Sequence, residues 1–355
     1  MEFATQQAVE LLMQLIATPS HSRDEGAAAD LLAQHLEKEG VTVERIHNNL
    51  LARSTHFDPS KPTLLLNSHL DTVRPVASYT RDPYTPTIEN GALYGLGSND
   101  AGASLVTLIA TFLHFRKEAL PFNLLLGISA EEECSGEKGL RAWVDRVGRI
   151  DMALVGEPTS MQAAIAERGL VVLDCVAHGR SGHAARGEGV NALYIALDDI
   201  QTLRTLRPER TSATLGELRL TTTMIHCGTQ HNVVPDRCEF VVDIRTTDAY
   251  TNEETVELIR AAIQSEVTPR STRIRASVID AEHPLVRAAV AAGAKTFVSP
   301  TTSDRTLMPF PALKIGPGES SRSHTADEYI LLEEIEQGIN TYRKIIENLA
   351  AEYGN

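Results

Sequence analysis

The chain is poor in cysteine, in positive charge and in long apolar runs, and each shortage removes a class of protein. Four cysteines, Cys134, Cys175, Cys227 and Cys238, occur in 355 residues, and no two form a Cys-x-x-Cys pair. That is too sparse for a disulfide framework, so they read as reduced, mostly buried thiols. No stretch approaches the roughly 18 consecutive apolar residues of a membrane span. The start, Met1-Glu2-Phe3-Ala4-Thr5, has neither the basic residues nor the apolar run of a signal peptide, so a cytoplasmic protein is expected. Lys and Arg total 33 against 47 Asp and Glu, a formal net charge of −14. Such a surface repels nucleic acid and anionic membranes, and neither is expected as a partner. Internal repeats and low-complexity segments are also missing. What remains, 42% hydrophobic and 23% charged residues with 5% aromatics, is ordinary for a globular protein with length for about two domains.

Hydrophobic periodicity then divides the chain. Val9, Leu12 and Ile16 fall on one helical face, and a second helix is expected over about Glu25 to Glu39, closed by Gly40. Val41 to Val43 reads as a strand, and Thr63 to Leu66 as a short apolar one buried on both faces. Asn90-Gly91 is a hairpin turn signal. A helix over about Ala101 to Arg116, a strand Phe122 to Ser129, a helix near Lys138 to Val147 and a strand Met152 to Val155 complete an alternating α/β pattern. After about Ala166 the texture changes. Gly169 to His178, Ala192 to Leu206, Glu217 to Cys227, Cys238 to Arg245 and Asn252 to Ser265 read as strand, helix, strand, strand and helix, the order of a ferredoxin-like split β-α-β unit once a closing strand is added. Helix returns from about Glu282, with a strand at Ala312 to Ile315 and a long helix from about Leu331. The expected architecture is an α/β domain, residues 1–166 and 276–355, interrupted by an α+β domain at 167–275.

Carboxylates and histidines gather where the predicted strands end, the position of the ligand crevice in open α/β sheets. Leu64 to Leu66 runs into Asn67-Ser68-His69-Leu70-Asp71-Thr72, the strand ending at Ser129 into Glu131-Glu132-Glu133, and the strand ending at Val155 into Gly156-Glu157-Pro158. Gly97-Ser98-Asn99-Asp100 lies where a loop enters a helix, and Ser323-His324-Thr325-Ala326-Asp327-Glu328 follows the last strand. Singly, each has an ordinary explanation: Asp100 as a helix N-cap, the three glutamates as a solvated loop, His324 as a surface histidine. Together, two histidines and three carboxylates at one rim suit a two-metal site. Imidazole with carboxylate favours zinc, whereas carboxylate alone would favour magnesium or manganese.

These five segments resemble the dinuclear zinc amidohydrolase and exopeptidase family, which includes acetylornithine deacetylase, succinyl-diaminopimelate desuccinylase, aminoacylase and glutamate carboxypeptidase. The resemblance covers nearly the whole chain, and over Gly316 to Tyr329 it is nearest to the ornithine and lysine deacylases. It implies a zinc-exopeptidase-like catalytic domain with an inserted ferredoxin-like lid that also serves dimerisation. It further implies two divalent ions, zinc or in its place cobalt: His69 and Glu157 on one, Glu133 and His324 on the other, Asp100 bridging. Asp71 would orient the ring of His69 through its carboxylate, and Glu132 would be the general base. The run of three glutamates leaves a register question, settled on Glu132-Glu133 because Gly139 then falls at the family's distance. Ala101 departs from the pattern, with no Lys following Asp100. In the lid, His183 matches the residue that reaches across a homodimer to the oxyanion, and Arg168, Asn232 and Arg245 match contacts to a substrate carboxylate, for which the planar guanidinium is suited. Gly316 matches a turn lining the same pocket. The implied reaction is removal of an acyl group from an N-acyl-amino acid, above all N-acetyl- or N-succinyl-ornithine, as in arginine biosynthesis. A dipeptidase or carboxypeptidase would use the same machinery, and a non-catalytic binding protein would be expected to have lost part of it.

Overall fold

The structure, a computed structural model, describes residues 3–354. The chain divides into two compact units: residues up to Ile165 with Ile279–Phe297 and everything from Ser303 onward, and Ala166–Val278 with Val298–Thr302.

In the first unit the strands lie in the order Glu44–Ile46, Asn49–Arg53, Asn123–Ser129, Thr63–His69, Met152–Val155 and Ala312–Lys314. The last four are mutually parallel. Every residue of Thr63–His69 and Asn123–Ser129 is buried, as expected of apolar runs covered on both faces. The pleat sends successive leucines to opposite layers. Leu64, Leu66, Leu124 and Leu126 pack with Leu12, Leu32, Phe112 and Tyr342 of the helices Phe3–Ile16, Gly26–Lys38, Ala103–Phe115 and Leu332–Tyr353. Leu65 and Leu125 face Leu51, Trp143 and Val144 on the other side. The register pairs His69 with Ser129, Asn67 with Val155 and Val155 with Lys314, so the carboxyl ends of all four parallel strands share one rim. Asn90 and Gly91, both at positive φ, join Thr87–Glu89 to Ala92–Tyr94.

Three expectations are corrected. Val41 to Val43 is not a strand; pairing starts at Glu44, after the left-handed Gly40 has turned the chain out of its helix. Lys138 to Val147 is not a helix but a turn with one 3-10 segment, Leu140–Ala142. Its helical spacing arises from three anchors, Leu140, Trp143 and Val144, pressed into the core beneath the sheet. The helix expected from Ala101 starts at Ala103, because Asp100 and Ala101 have non-helical dihedrals; Asp100 is therefore no cap of that helix.

The second unit carries an antiparallel sheet in the order Arg219–Cys227, Arg237–Thr246, Gly169–His178, Glu266–Pro269. With the helices Ala192–Thr205 and Asn252–Ala262 this is the ferredoxin-like split β-α-β arrangement. Gly169–His178 alternates buried and part-buried residues, and Val171, Leu173, Cys175, Phe240, Val242 and Ile244 form the core with Val256 and Ile259. Among the described residues no helix is long and apolar enough to cross a membrane.

Candidate metal centre

The rim of the first unit assembles the site. His69, the last residue of its strand, is 2% exposed, and its Nε2 lies 3.3 Å from Asp100 Oδ1 and 3.8 Å from Glu157 Oε1. Half-exposed His324 places Nε2 at 3.0 Å from Glu133 Oε2 and 3.7 Å from Asp100 Oδ2. The two oxygens of Asp100 are thus divided between two imidazoles. His69, Glu132 and Glu157 each bring one ligand atom within 4.8 Å of the others, and so do His69, Asp100 and Glu133. Glu131 faces elsewhere: its carboxylate accepts from Lys138 N at 3.1 Å, and it sits at positive φ. The geometry therefore separates the three consecutive glutamates, with Glu132 and Glu133 at the cluster.

Asp71 reaches His69 with both its main chain and its carboxylate. The ring Nδ1 lies 2.8 Å from the main-chain carbonyl of Asp71 and 3.6 Å from its carboxylate. The carboxylate also accepts from Glu132 N at 3.0 Å, Glu133 N at 3.2 Å and Ser22 Oγ at 2.7 Å. One residue thus fixes the imidazole with its backbone and the glutamate turn with its side chain. A second support was absent from the sequence reading. Buried Glu328 accepts from Gly97 N, Asn99 N and Asp100 N at 2.8–2.9 Å and so holds the loop that presents Asp100. It lies in the Ser323 to Glu328 segment, but a carboxylate whose partners are main-chain amides leaves no residue-type pattern.

Four carboxylates, Asp100, Glu132, Glu133 and Glu157, face only two imidazoles, and the ionisation states record the crowding. Burial lowers the affinity of His69 for a proton, yet Asp100 and Asp71, with Glu132 and Glu157 beyond, hold its pKa well above the ordinary value. Hydrogen bonding to Glu133 raises His324 to about 9. Burial, aided by the charges of Glu157, Asp304 and Glu133, drives Glu132 well above a normal carboxylate, although His69 opposes it. An excess of buried carboxylate with nitrogen donors interspersed is a donor set that divalent cations neutralise, and its mixed imidazole–oxygen character suits zinc. The residues present fit a two-ion site.

The remaining expected residues are placed as follows. Gly316, in the first unit, packs against the Glu157 backbone: a Cβ there would sit 2.5 Å from Glu157 O and 2.9 Å from Glu157 N. His183, Asn232, Arg168 and Arg245 belong to the second unit. His183 and Asn232 are exposed. The Arg168 guanidinium donates to the carbonyls of Leu215 and Glu217, so its fork is occupied within its own unit. Arg245 is part-buried and pairs with Asp243 at 2.9 Å.

The profile of peptidase family M20/M25/M40 matches residues 65–348, a span that contains every ligand candidate above. The chain belongs to this family. Its members hold two metals, and it is a metallohydrolase family acting on amides. Among curated relatives of this M20 chain, the succinyl-diaminopimelate desuccinylase of Paracoccus denitrificans is 29% identical, covering 96% of this chain and 98% of the relative. The acetylornithine deacetylase of Shigella sonnei is 32% identical over 91% of this chain and 92% of the relative. Among solved structures, aminopeptidase PepT from Bacillus cereus matches with a TM-score of 0.78 at 19% identity, covering 98% of this chain and 99% of that one. At that identity the likeness shows the fold.

Proposed function

We propose that this M20 enzyme removes the acyl group from an N-acyl-amino acid carrying a second amine, with N-acetyl- or N-succinyl-ornithine as the leading substrates, and so serves arginine biosynthesis in the cytoplasm. The observation that carries the hydrolytic reading is the division of the Asp100 oxygens between His69 and His324, 3.3 and 3.7 Å away, with Glu132 beside them. The acyl-amino-acid class is supported by relatives that match nearly end to end and bear deacetylase and desuccinylase names.

His69 and Glu157 would hold one divalent ion and Glu133 and His324 the other, with Asp100 between them. When bound, such ions polarise an amide carbonyl and make water acidic enough to attack near neutral pH. The chain's own part falls to Glu132, which accepts the proton of the attacking water and passes it to the departing amine nitrogen as the C–N bond breaks. For the substrate α-carboxylate, Arg245 is the better anchor. Its guanidinium can exchange Asp243 for a ligand, whereas Arg168 is held by carbonyls of its own loop. Asn232 and His183 would complete the polar contacts, His183 by donating to the developing oxyanion.

The edge of the second unit supports a homodimer. Arg219–Cys227 ends its sheet, paired on one side only among the described residues, and exposes Met224 by 50% and Ile225 by 42%. Tyr194 and Leu197, on helix Ala192–Thr205, are likewise exposed. A strand edge with unpaired main-chain groups is a pairing surface, and a second copy would use the same edge in reverse. In such a dimer His183 would act on the site of the other copy.

A substrate panel decides the reading. N-acetyl-ornithine, N-succinyl-ornithine and N-succinyl-diaminopimelate are expected to exceed N-acetyl-methionine and neutral dipeptides in kcat/KM, with Arg245→Ala reducing the preference. Faster turnover of neutral dipeptides, unaffected by Arg245→Ala, would establish a peptidase instead. A protein inert on the whole panel with two metals bound would be a binding protein on this scaffold.

A further inference from the structure

Glu25 lies outside every role assigned so far. It stands immediately before helix Gly26–Lys38, yet its side chain makes no capping bond to that helix and is 1% exposed. A buried carboxylate needs partners. Oε1 accepts from Glu131 N at 3.3 Å and from Arg23 N, and Oε2 accepts from Asn48 Nδ2 at 2.9 Å. Asn48 is itself oriented by Arg45, whose Nη2 donates to Asn48 Oδ1 at 3.0 Å.

With Asp71, this makes a continuous row. The amides of Glu131, Glu132 and Glu133 are received in turn by Glu25 Oε1, Asp71 Oδ1 and Asp71 Oδ2. Ser22, three residues before Glu25, donates to the same Asp71 carboxylate. Glu131 needs such restraint because it is a non-glycine residue at φ 54, a region costly for an L side chain. The turn beyond it is tight: Gly136 N donates to Glu131 O at 2.8 Å, and a Cβ on Gly136 would fall 1.9 Å from Glu131 Oε2. The strand ending at Ser129 thus reverses into a left-handed residue and emerges with Glu132 and Glu133 aimed at the cluster. The acceptor that receives the Glu131 amide comes from a segment about a hundred residues earlier in the chain.

We propose that Glu25 is a positioning residue for the amide hydrolysis: it locks the Glu131 peptide, and through it the direction in which Glu132 presents its carboxylate. This rests on the reading of Glu132 as the proton acceptor. Among the described residues the Glu25 carboxylate bonds to Arg23 N, Asn48 Nδ2 and Glu131 N and to no metal-ligand side chain, so its loss is expected to act on kcat rather than on KM. A displacement of about 1 Å in a reacting group lowers rate by about a hundredfold.

The test uses the full-length, metal-loaded chain on the best substrate of the panel. Glu25→Ala is expected to lower kcat by about a hundredfold while KM stays within about threefold and two metals remain bound, with faster hydrogen exchange at the Glu131 amide. Glu25→Gln keeps one carbonyl oxygen for the two backbone donors but turns an amide NH2 toward Asn48 Nδ2, and should recover at least a tenth of the wild-type kcat. Adding Asn48→Asp supplies an acceptor for that NH2 and should raise kcat further; should Glu25→Ala not fold, this pair carries the test. The proposal is overturned if a folded Glu25→Ala retains kcat within twofold. It is equally overturned if Glu25→Gln with Asn48→Asp is no better than Glu25→Gln, or if the Glu25 variants lose metal and raise KM together. Glu132→Gln separates this from the underlying reading. If Glu132→Gln stays active, the assignment of the base fails; if it is inactive while Glu25 variants are normal, only the positioning role fails.

Discussion

Gly316→Ala perturbs the site without touching a charge. The added Cβ would lie 2.3 Å from Ser104 Oγ, 2.5 Å from Glu157 O and 2.9 Å from Glu157 N. The serine can rotate away, so the Glu157 backbone decides the outcome. A carbon–oxygen contact settles at about 3.3 Å or more, so the peptide must retreat by about 0.8 Å. Gly316 cannot back away in its place, because it donates to Thr159 Oγ1 at 3.0 Å and accepts from Met161 N at 2.8 Å. Forcing a methyl group into such a contact costs about 1–3 kcal/mol, which at about 2–4 °C per kcal/mol is a visible fall in Tm. Glu157 would move relative to His69, so one metal should bind at least tenfold more weakly, and kcat/KM should fall by about ten- to a hundredfold. Calorimetric metal titration of the apoprotein, with kinetics at saturating metal, reads both effects. Wild-type metal affinity with only KM raised would show that Gly316 merely lines the substrate pocket.

Further outcomes follow from other parts of the chain. Glu132→Gln should keep both metals and lose about 10²–10⁴ in kcat, whereas Glu133→Gln should lose one metal; phenotypes shifted to Glu131 would contradict the observed turn. Asp100→Ala should deplete both ions by elemental analysis, and retention of two ions with full activity would remove its bridging role. Met224→Lys should give a monomer in analytical ultracentrifugation, and mixtures of His183→Ala with Glu132→Gln should regain activity through hybrid dimers; a dimeric Met224→Lys protein would refute the strand-edge contact. His283 caps helix Pro284–Ala291 by accepting from Leu285 N at 3.2 Å. Burial, helped by Arg287 and opposed by Asp280, lowers its pKa below 6.5. A histidine so depressed favours folding above its unfolded pKa and loses that contribution as pH falls through the folded value. His283→Asn, a cap that does not titrate, should therefore shed less Tm than wild type between pH 7.5 and 5, and equal losses would exclude the linkage.

The sequence was legible wherever chemistry restricts residue type at a strand end. His69, the Glu131 to Glu133 run and Glu157 stand directly after apolar runs whose ends the parallel register brings to one rim, whereas Asp100 and His324 lie in loops and could be placed only through the family resemblance. The ferredoxin-like order was readable for a similar reason, since Gly169–His178 and Arg237–Thr246 alternate cleanly between core and exposed face. Lys138 to Val147 misled because three buried anchors can imitate a helix when a turn spaces them suitably. The hydrogen bonds from the Arg168 guanidinium to the carbonyls of Leu215 and Glu217 likewise have no signature in the sequence.

The supports of the site were illegible for one common reason. Glu25 Oε1, Glu328 and Asp71 Oδ1 all accept from main-chain N–H groups. A backbone amide is present at every residue except proline, so the recipient carries no signature, and the donor's neighbours look like any loop. Only the fold says which amides are left over where a strand reverses at positive φ or a loop enters a helix. Yet these carboxylates decide the aim of the residues that could be read. Exchanging Glu132 should change what the site can do, whereas exchanging Glu25 should change only how well it is aimed, and the difference between those kinetic signatures measures how much of the catalysis lies in positioning.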